Sequence, residues 1–149
     1  MPENETLERA HEDAREGKAP STQASEFVRE EMHHLREGKH GAASPQQAIA
    51  IGLSKARRAG VKLPLPKGQS ASTTEKATRD CRKGQSHSRR KPSAKRSRAT
   101  RGALRKEGHG AASHRALSSQ PRSAARKRGS ASRHDAAMKA SRTRRARSR

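Results

Sequence analysis

The chain reads as a small all-α head of about three helices, residues 1–66, followed by a long intrinsically disordered basic tail, residues 67–149. Two observations predict this division. Residues 1–66 carry ten Lys/Arg and ten Asp/Glu, whereas residues 67–149 carry twenty-six Lys/Arg against four acids, Glu75, Asp80, Glu107 and Asp135. The second half therefore holds the whole formal charge of +22. Large apolar side chains divide the same way, with only Leu104, Leu117 and Met138 beyond Leu65. Three such residues cannot offset a backbone ordering cost of roughly 1–2 kcal/mol per residue. The tail is expected to be disordered when free, or marginally helical once its charge is neutralised.

The first helix is expected from about Glu3 to Glu16, with acids in its first turn and Gly17 as its stop. Leu7, Ala10 and Ala14 give it a thin apolar stripe, so it is weakly held. The second helix starts at Pro20-Ser21-Thr22 and carries Ala24, Phe27, Val28, Met32 and Leu35 at helical spacing. Glu26, Arg29, Glu30, Glu31 and Arg36 fall on its expected wet side, and Gly38 and Gly41 end it in a short basic turn. The third helix has an S-x-x-Q capping box, with Ser44 as N-cap, Pro45 at the first helical position and Gln47 reaching back. Ala48, Ile49, Gly52, Leu53 and Ala56 follow on one face, and the small residues 48, 52 and 56 allow close approach of a second helix. Gly60 closes it before an extended strap, Val61 to Pro66. Head packing is assigned to Phe27, Val28, Met32, Leu35, Ile49 and Leu53. So small a core is marginal alone, which invites a homodimer through the head.

An internal echo links the two halves. Leu35 to Gly60 and Leu104 to Gly129 match at eleven of twenty-six positions without gaps, including the block His-Gly-Ala-Ala-Ser. The second copy lacks both isoleucines and carries Pro121 at mid-helix, so it is not expected to fold like the first.

The segment Met32 to Pro64 contains Gln47-Ala48-Ile49-Ala50-Ile51-Gly52-Leu53-Ser54-Lys55-Ala56-Arg57. It resembles a family of small basic bacterial proteins of unassigned function, which share a Gln-Ala-Ile-Ala-Ile-(Ala/Gly)-Leu-Ser-x-Ala-Arg block. The resemblance implies a bacterial, cytoplasmic, DNA-associated protein and supplies no mechanism or site. The tail resembles histone-like tails in composition only.

Function is read from charge. The candidate nucleic-acid-binding cations of the tail are Arg89, Arg90, Lys91, Lys95, Arg96, Arg98, Arg101, Arg126, Lys127, Arg128, Arg142, Arg144, Arg145 and Arg147. Lys55, Arg57 and Arg58 join them from the third helix. Each cation that neutralises a phosphate releases condensed counterions, so affinity accrues without a folded surface. The spacers lack aromatics, which argues against a stacking platform for single strands. The expected function is sequence-tolerant DNA binding of the nucleoid-associated, histone-like kind, with nucleic acid as partner. The alternatives are an RNA- or ribosome-associated basic protein, because eighteen of the tail's cations are Arg, or an adaptor whose head binds a protein.

Other classes are disfavoured. Two overlapping Glu-x-x-His spacings occur in Glu30-Glu31-Met32-His33-His34, with His40 following. One is half of a carboxylate-bridged metal set, and with no second set the residues read as exposed helix surface with no metal. The lone Cys81 has no disulfide partner and reads as incidental. No paired-carboxylate pocket or phosphate loop is evident, so no enzyme, cofactor or small-molecule substrate is expected. No apolar run approaches the ~20 residues of a membrane span, and the acidic start lacks a signal-peptide core. The expected location is the cytoplasm and its nucleoid.

Overall fold

A computed structural model describes residues 2–65, 68–86 and 93–147. Among these residues there are seven α-helices, one 3-10 turn (Gly110–Ala112) and no strand. The helices are α1 (Asn4–Arg15), α2 (Pro20–Arg36), α3 (Pro45–Arg58), α4 (Ala71–Gln85), α5 (Ala94–Lys106), α6 (His114–Lys127) and α7 (Gly129–Arg147). The chain divides into two compact units, Met1–Ser113 and His114–Arg149.

The expected disordered tail is overturned: four helices occupy the described part of residues 67–149. The expectation counted large apolar side chains, but helical hydrogen bonds are local, and Ala, Arg and Lys are strong helix formers. Serine caps supply the starts. Ser70 accepts from the Thr73 N–H at 3.3 Å, and Ser93 from the Arg96 N–H at 3.3 Å.

The first unit is built around α2. Phe27 and Leu35 are fully buried, with Met32 close behind, while Val28, Ile49 and Leu53 are half-buried. Ala10 of α1, Ala24 and Phe27 of α2 and Ala56 of α3 form the centre of the core, flanked by Leu7, Leu53, Val61 and Leu63. Ser44 caps α3 by accepting from the Gln47 N–H at 3.2 Å. The Gln47 side chain reaches back to the Ala43 N–H at 2.9 Å, one residue ahead of the cap. The small stripe of α3 works as its spacing predicts. A Cβ added at Gly52 would stand 2.8 Å from the Val28 Cα, so the two backbones meet there.

α4 covers a further side of α3 through Ala77 and Asp80, both buried, and brings the half-buried Cys81 with them. Asp80 accepts from the Ser54 hydroxyl at 2.6 Å and from the Arg58 guanidinium at 2.7 Å. Gly84 sits against the end of α3, where a Cβ would overlap the Arg57 carbonyl and lie 3.2 Å from the Gly60 nitrogen. Both neighbours are backbone and cannot swing away. Gly84→Ala is therefore expected to destabilise the unit by about 1–3 kcal/mol in urea unfolding. Gly102→Ala on α5, where nothing lies within 4 Å, should instead be neutral or slightly stabilising.

The two His-Gly-Ala-Ala-Ser blocks of the echo pack on one another. The Gly41 N–H donates to the Leu104 carbonyl at 2.9 Å and the Ala42 N–H to the Gly108 carbonyl at 3.0 Å. A Cβ at Gly41 would overlap the Glu107 carbonyl, so only glycine allows this approach. Ala42, Ala111 and Ala112 are buried there. At the level of secondary structure the echo is faithful, contrary to expectation. α3 begins one residue after Ser44 and α6 one residue after Ser113, and each runs 14 residues. Gly60 and Gly129 follow with positive φ of 99° and 75°. Pro121 lies inside α6 without ending it, because a single helix can lose one N–H donor where neighbouring bonds persist. Burial separates the copies: α3 buries Ala48, Gly52 and Ala56, whereas α6 buries no residue fully.

The second unit consists of α6 and α7. Leu117, Gln120 and Ala124 are half-buried on one face of α6, and Arg115, Arg122 and Arg126 are exposed on the opposite face. α7 is charged on every side.

Candidate nucleic-acid interface and a buried carboxylate–histidine cluster

The basic residues divide into a set held against the head's own acids and carbonyls and a set displayed, exposed to solvent, on later helices. Lys55 belongs to the first. Its ammonium is 2.7 Å from Glu30 Oε1 and also pairs with Glu31 Oε1. Arg58 is held by Asp80, and the Arg57 Nη2 donates to the Pro64 carbonyl at 3.5 Å. The third helix thus turns its cations toward the protein's own acids and carbonyls. Lys55, assigned from the sequence to phosphate contact, has buried carboxylates as its partners.

The displayed set lies on α5, α6 and α7. Lys95, Arg98, Arg101 and Arg105 are exposed along one side of α5, spanning about 15 Å of helix at 1.5 Å per residue. A wide, open depression on this helix is lined by Lys95, Arg98 and Ala99. Arg96 points to the other side of α5. Arg126 and Lys127 end α6, Arg128 follows it, and Arg142, Arg144 and Arg145 are exposed on α7. Arg89, Arg90 and Lys91, and the side chain of Arg147, lie outside the described residues. Only two acids, Glu107 and Asp135, accompany seventeen Lys/Arg in residues 93–147.

The head holds a second arrangement. The acids expected on the wet side of α2 are buried: Glu26 is 8%, Glu30 5% and Glu31 0% exposed. Their partners arrive from the two flanking helices. Arg9 of α1 stands 3.6 Å from Glu26 Oε2, and Lys55 of α3 serves both Glu30 and Glu31. The Glu3 backbone N–H donates to Glu30 Oε2 at 3.1 Å. Burial pushes the Glu30 carboxyl up, but the bonds from Lys55, Thr6 and the Glu3 backbone outweigh it and hold the group below its usual value. Burial pushes the Lys55 ammonium down, and Glu30 and Glu31 overcome this and raise it.

Glu31 lies deepest. Neither of its oxygens accepts a well-aligned hydrogen bond, although Lys55 is paired against Oε1. His40 Nε2 lies 3.4 Å from Glu31 Oε2, and His34 Nδ1 lies 3.8 Å from Glu31 Oε1. The two imidazoles meet edge to face with centroids 5.9 Å apart. Donor atoms of Glu31, His34 and His40 all fall within 4.8 Å of one another. The expectation of exposed helix surface holds for His33 alone. His34 and His40 are half-buried and the acids are covered, because the α2–α3 turn folds His40 back over α2. The sequence signal for this cluster was present in Glu31-x-x-His34, but the third donor came from beyond a turn, where a search for a second Glu-x-x-His does not reach.

A family model described as a family of unknown function (DUF6496) matches residues 19–67, which span α2, the turn, α3 and the strap after it. No curated protein and no solved structure matches the chain.

Proposed function

We propose that the protein is a non-enzymatic, sequence-tolerant DNA-binding protein of the nucleoid-associated kind. The observation that carries this reading is that residues 93–147 hold seventeen of the thirty-six Lys/Arg and only two of the fourteen acids, Glu107 and Asp135, with the described cations exposed on and between α5, α6 and α7. Surface charge of one sign at this density repels itself and contributes nothing to a core, so it favours a polyanion. Arginine forks onto phosphate oxygens, and a helix carries such forks at a fixed rise. No aromatic side chain is present beyond Phe27, which leaves backbone phosphate rather than base stacking as the recognised feature. The ten cations of the head are balanced by its ten acids, so the charge that engages DNA lies in the second half of the chain.

Salt titration tests this reading. The full chain should bind duplex DNA with a log–log salt slope near −9 if about ten phosphates are engaged, with little preference among sequences. Structured RNA of equal length should bind no tighter at high salt. A flat slope, or a clear excess for RNA that survives at roughly 0.3–0.5 M salt, about two to three times physiological ionic strength, would defeat it.

A further inference from the structure

In the cluster on α2, two imidazoles each turn a ring nitrogen toward one buried carboxylate. His34 Nε2 lies 2.9 Å from Glu3 Oε1. A carboxylate only accepts, so Nε2 carries a hydrogen, and in the neutral ring Nδ1, which faces Glu31, is then the open acceptor. His40 Nδ1 lies 3.1 Å from the Gly41 carbonyl, so it too is the donor, and the open acceptor is Nε2, facing Glu31 Oε2. Lone pairs and an anionic oxygen that converge in this way repel one another unless a cation lies among them.

We propose that Glu31, His34 and His40 form a binding site for a divalent transition-metal ion of the zinc type. In tetrahedral zinc sites, bonds of about 2.0–2.1 Å set neighbouring donors roughly 3.4 Å apart. The His40 Nε2–Glu31 Oε2 pair is 3.4 Å, and donor atoms of all three residues lie within 4.8 Å of one another. The second nitrogen of each histidine is already bonded, to a carboxylate in one case and a backbone carbonyl in the other, which is how ligating imidazoles are oriented in metal proteins. Charge agrees. Glu30 and Glu31 bring two negative charges and Lys55 one positive, so with neutral imidazoles a buried negative charge remains for a cation to neutralise. Lys39, 3.2 Å from Glu3 Oε1, serves the outer carboxylate and not Glu31. Lys55 engages Glu31 through Oε1, which leaves Oε2 for the ion. The His34 and His40 side chains are 12% and 18% exposed, which provides an entry path. Three protein donors leave a further position for water.

Such an ion would tie α2 to the α2–α3 turn. The His40 carbonyl in that turn lies 3.1 Å from His109 Nδ1, so the clamp would also steady the second His-Gly-Ala-Ala-Ser block. This site is independent of the nucleic-acid reading.

The test uses the full chain, stripped with chelator and titrated with Zn²⁺ alone at neutral pH. One equivalent should bind by calorimetry, and the melting temperature should rise by about 5–10 °C at hundredfold excess over Kd. His34→Gln and His40→Gln should each weaken binding by at least about tenfold, and Glu3→Gln by about 10–100-fold through loss of orientation. His33→Gln, on the same helix but exposed, should change nothing. Co²⁺ bound to the unmodified chain should give the visible bands of a low-coordinate site, a readout that needs no variant. Absence of any zinc-dependent melting shift overturns the proposal. So does binding that survives the His34→Gln/His40→Gln double variant, which would place the ion on other histidines. A metal-insensitive chain whose two imidazoles are both protonated at neutral pH would likewise identify the missing cation as protons.

Discussion

Lys55→Met should destabilise the first unit by about 3–5 kcal/mol, measured by urea unfolding in chelator. The substitution keeps the length and apolar stem of the side chain and removes one charge. What it leaves behind is costly, because Glu30 and Glu31 are almost wholly buried and depend on this ammonium. Removing one partner of a buried ion pair strands the other, and the penalty is that of an uncompensated buried charge. The deficit should also depend on pH. Glu30 is depressed in the folded chain, so its contribution is present above its usual 4.5 and lost as pH falls through the lowered value. Lys55 is raised, so its contribution is present below 10.5 and lost as pH climbs through the raised value. The gap between wild type and variant should be widest between those limits and should narrow in acid, where the stranded carboxylates can protonate. A loss under 1 kcal/mol, flat with pH, would mean that water already reaches these acids.

Replacing Arg115, Arg122 and Arg126 together by Gln should weaken DNA binding several hundredfold at 0.1 M salt. These residues line one exposed face of α6, opposite Leu117 and Ala124, so their loss removes charge without opening a core. If each neutralises one phosphate, the log–log salt slope flattens by about 2.7. At 0.1 M salt each contact is worth about 0.9 log units, which sets the several-hundredfold figure. Circular dichroism should be unchanged, since Gln and Arg have similar helix propensity. An unchanged slope would move the DNA contacts to α5 and α7.

Much of the head is legible in the sequence because it is local. The periodicity of Phe27, Met32 and Leu35, the Ser44 cap with Pro45, and the small stripe at Ala48, Gly52 and Ala56 each involve neighbours within a turn or two. The helices of the second half were legible in part. Ser70 and Ser93 stand where N-caps belong, and Ala, Arg and Lys fill the stretches that follow. A count of large apolar residues hides this, since it measures the capacity to form a core and not the capacity to form a helix. The candidate metal cluster was half legible, through Glu31 and His34, and His40 was separated from them by the turn.

By itself the sequence determined the helices of the head, the division of charge between the halves and the absence of a large core. Only tertiary structure decided which charges are covered. Glu26, Glu30 and Glu31 flank the apolar stripe of α2 and have the pattern of a solvated face; Arg9 and Lys55, brought in by two other helices, make their burial tolerable. Tertiary structure also decided that α4 packs on α3 through Asp80 and Gly84, and that one His-Gly-Ala-Ala-Ser block seats the other. Helix formation depends on residues three and four apart, which a sequence displays. The burial of a charge depends on which opposite charge arrives from afar, and that is settled only when the elements pack.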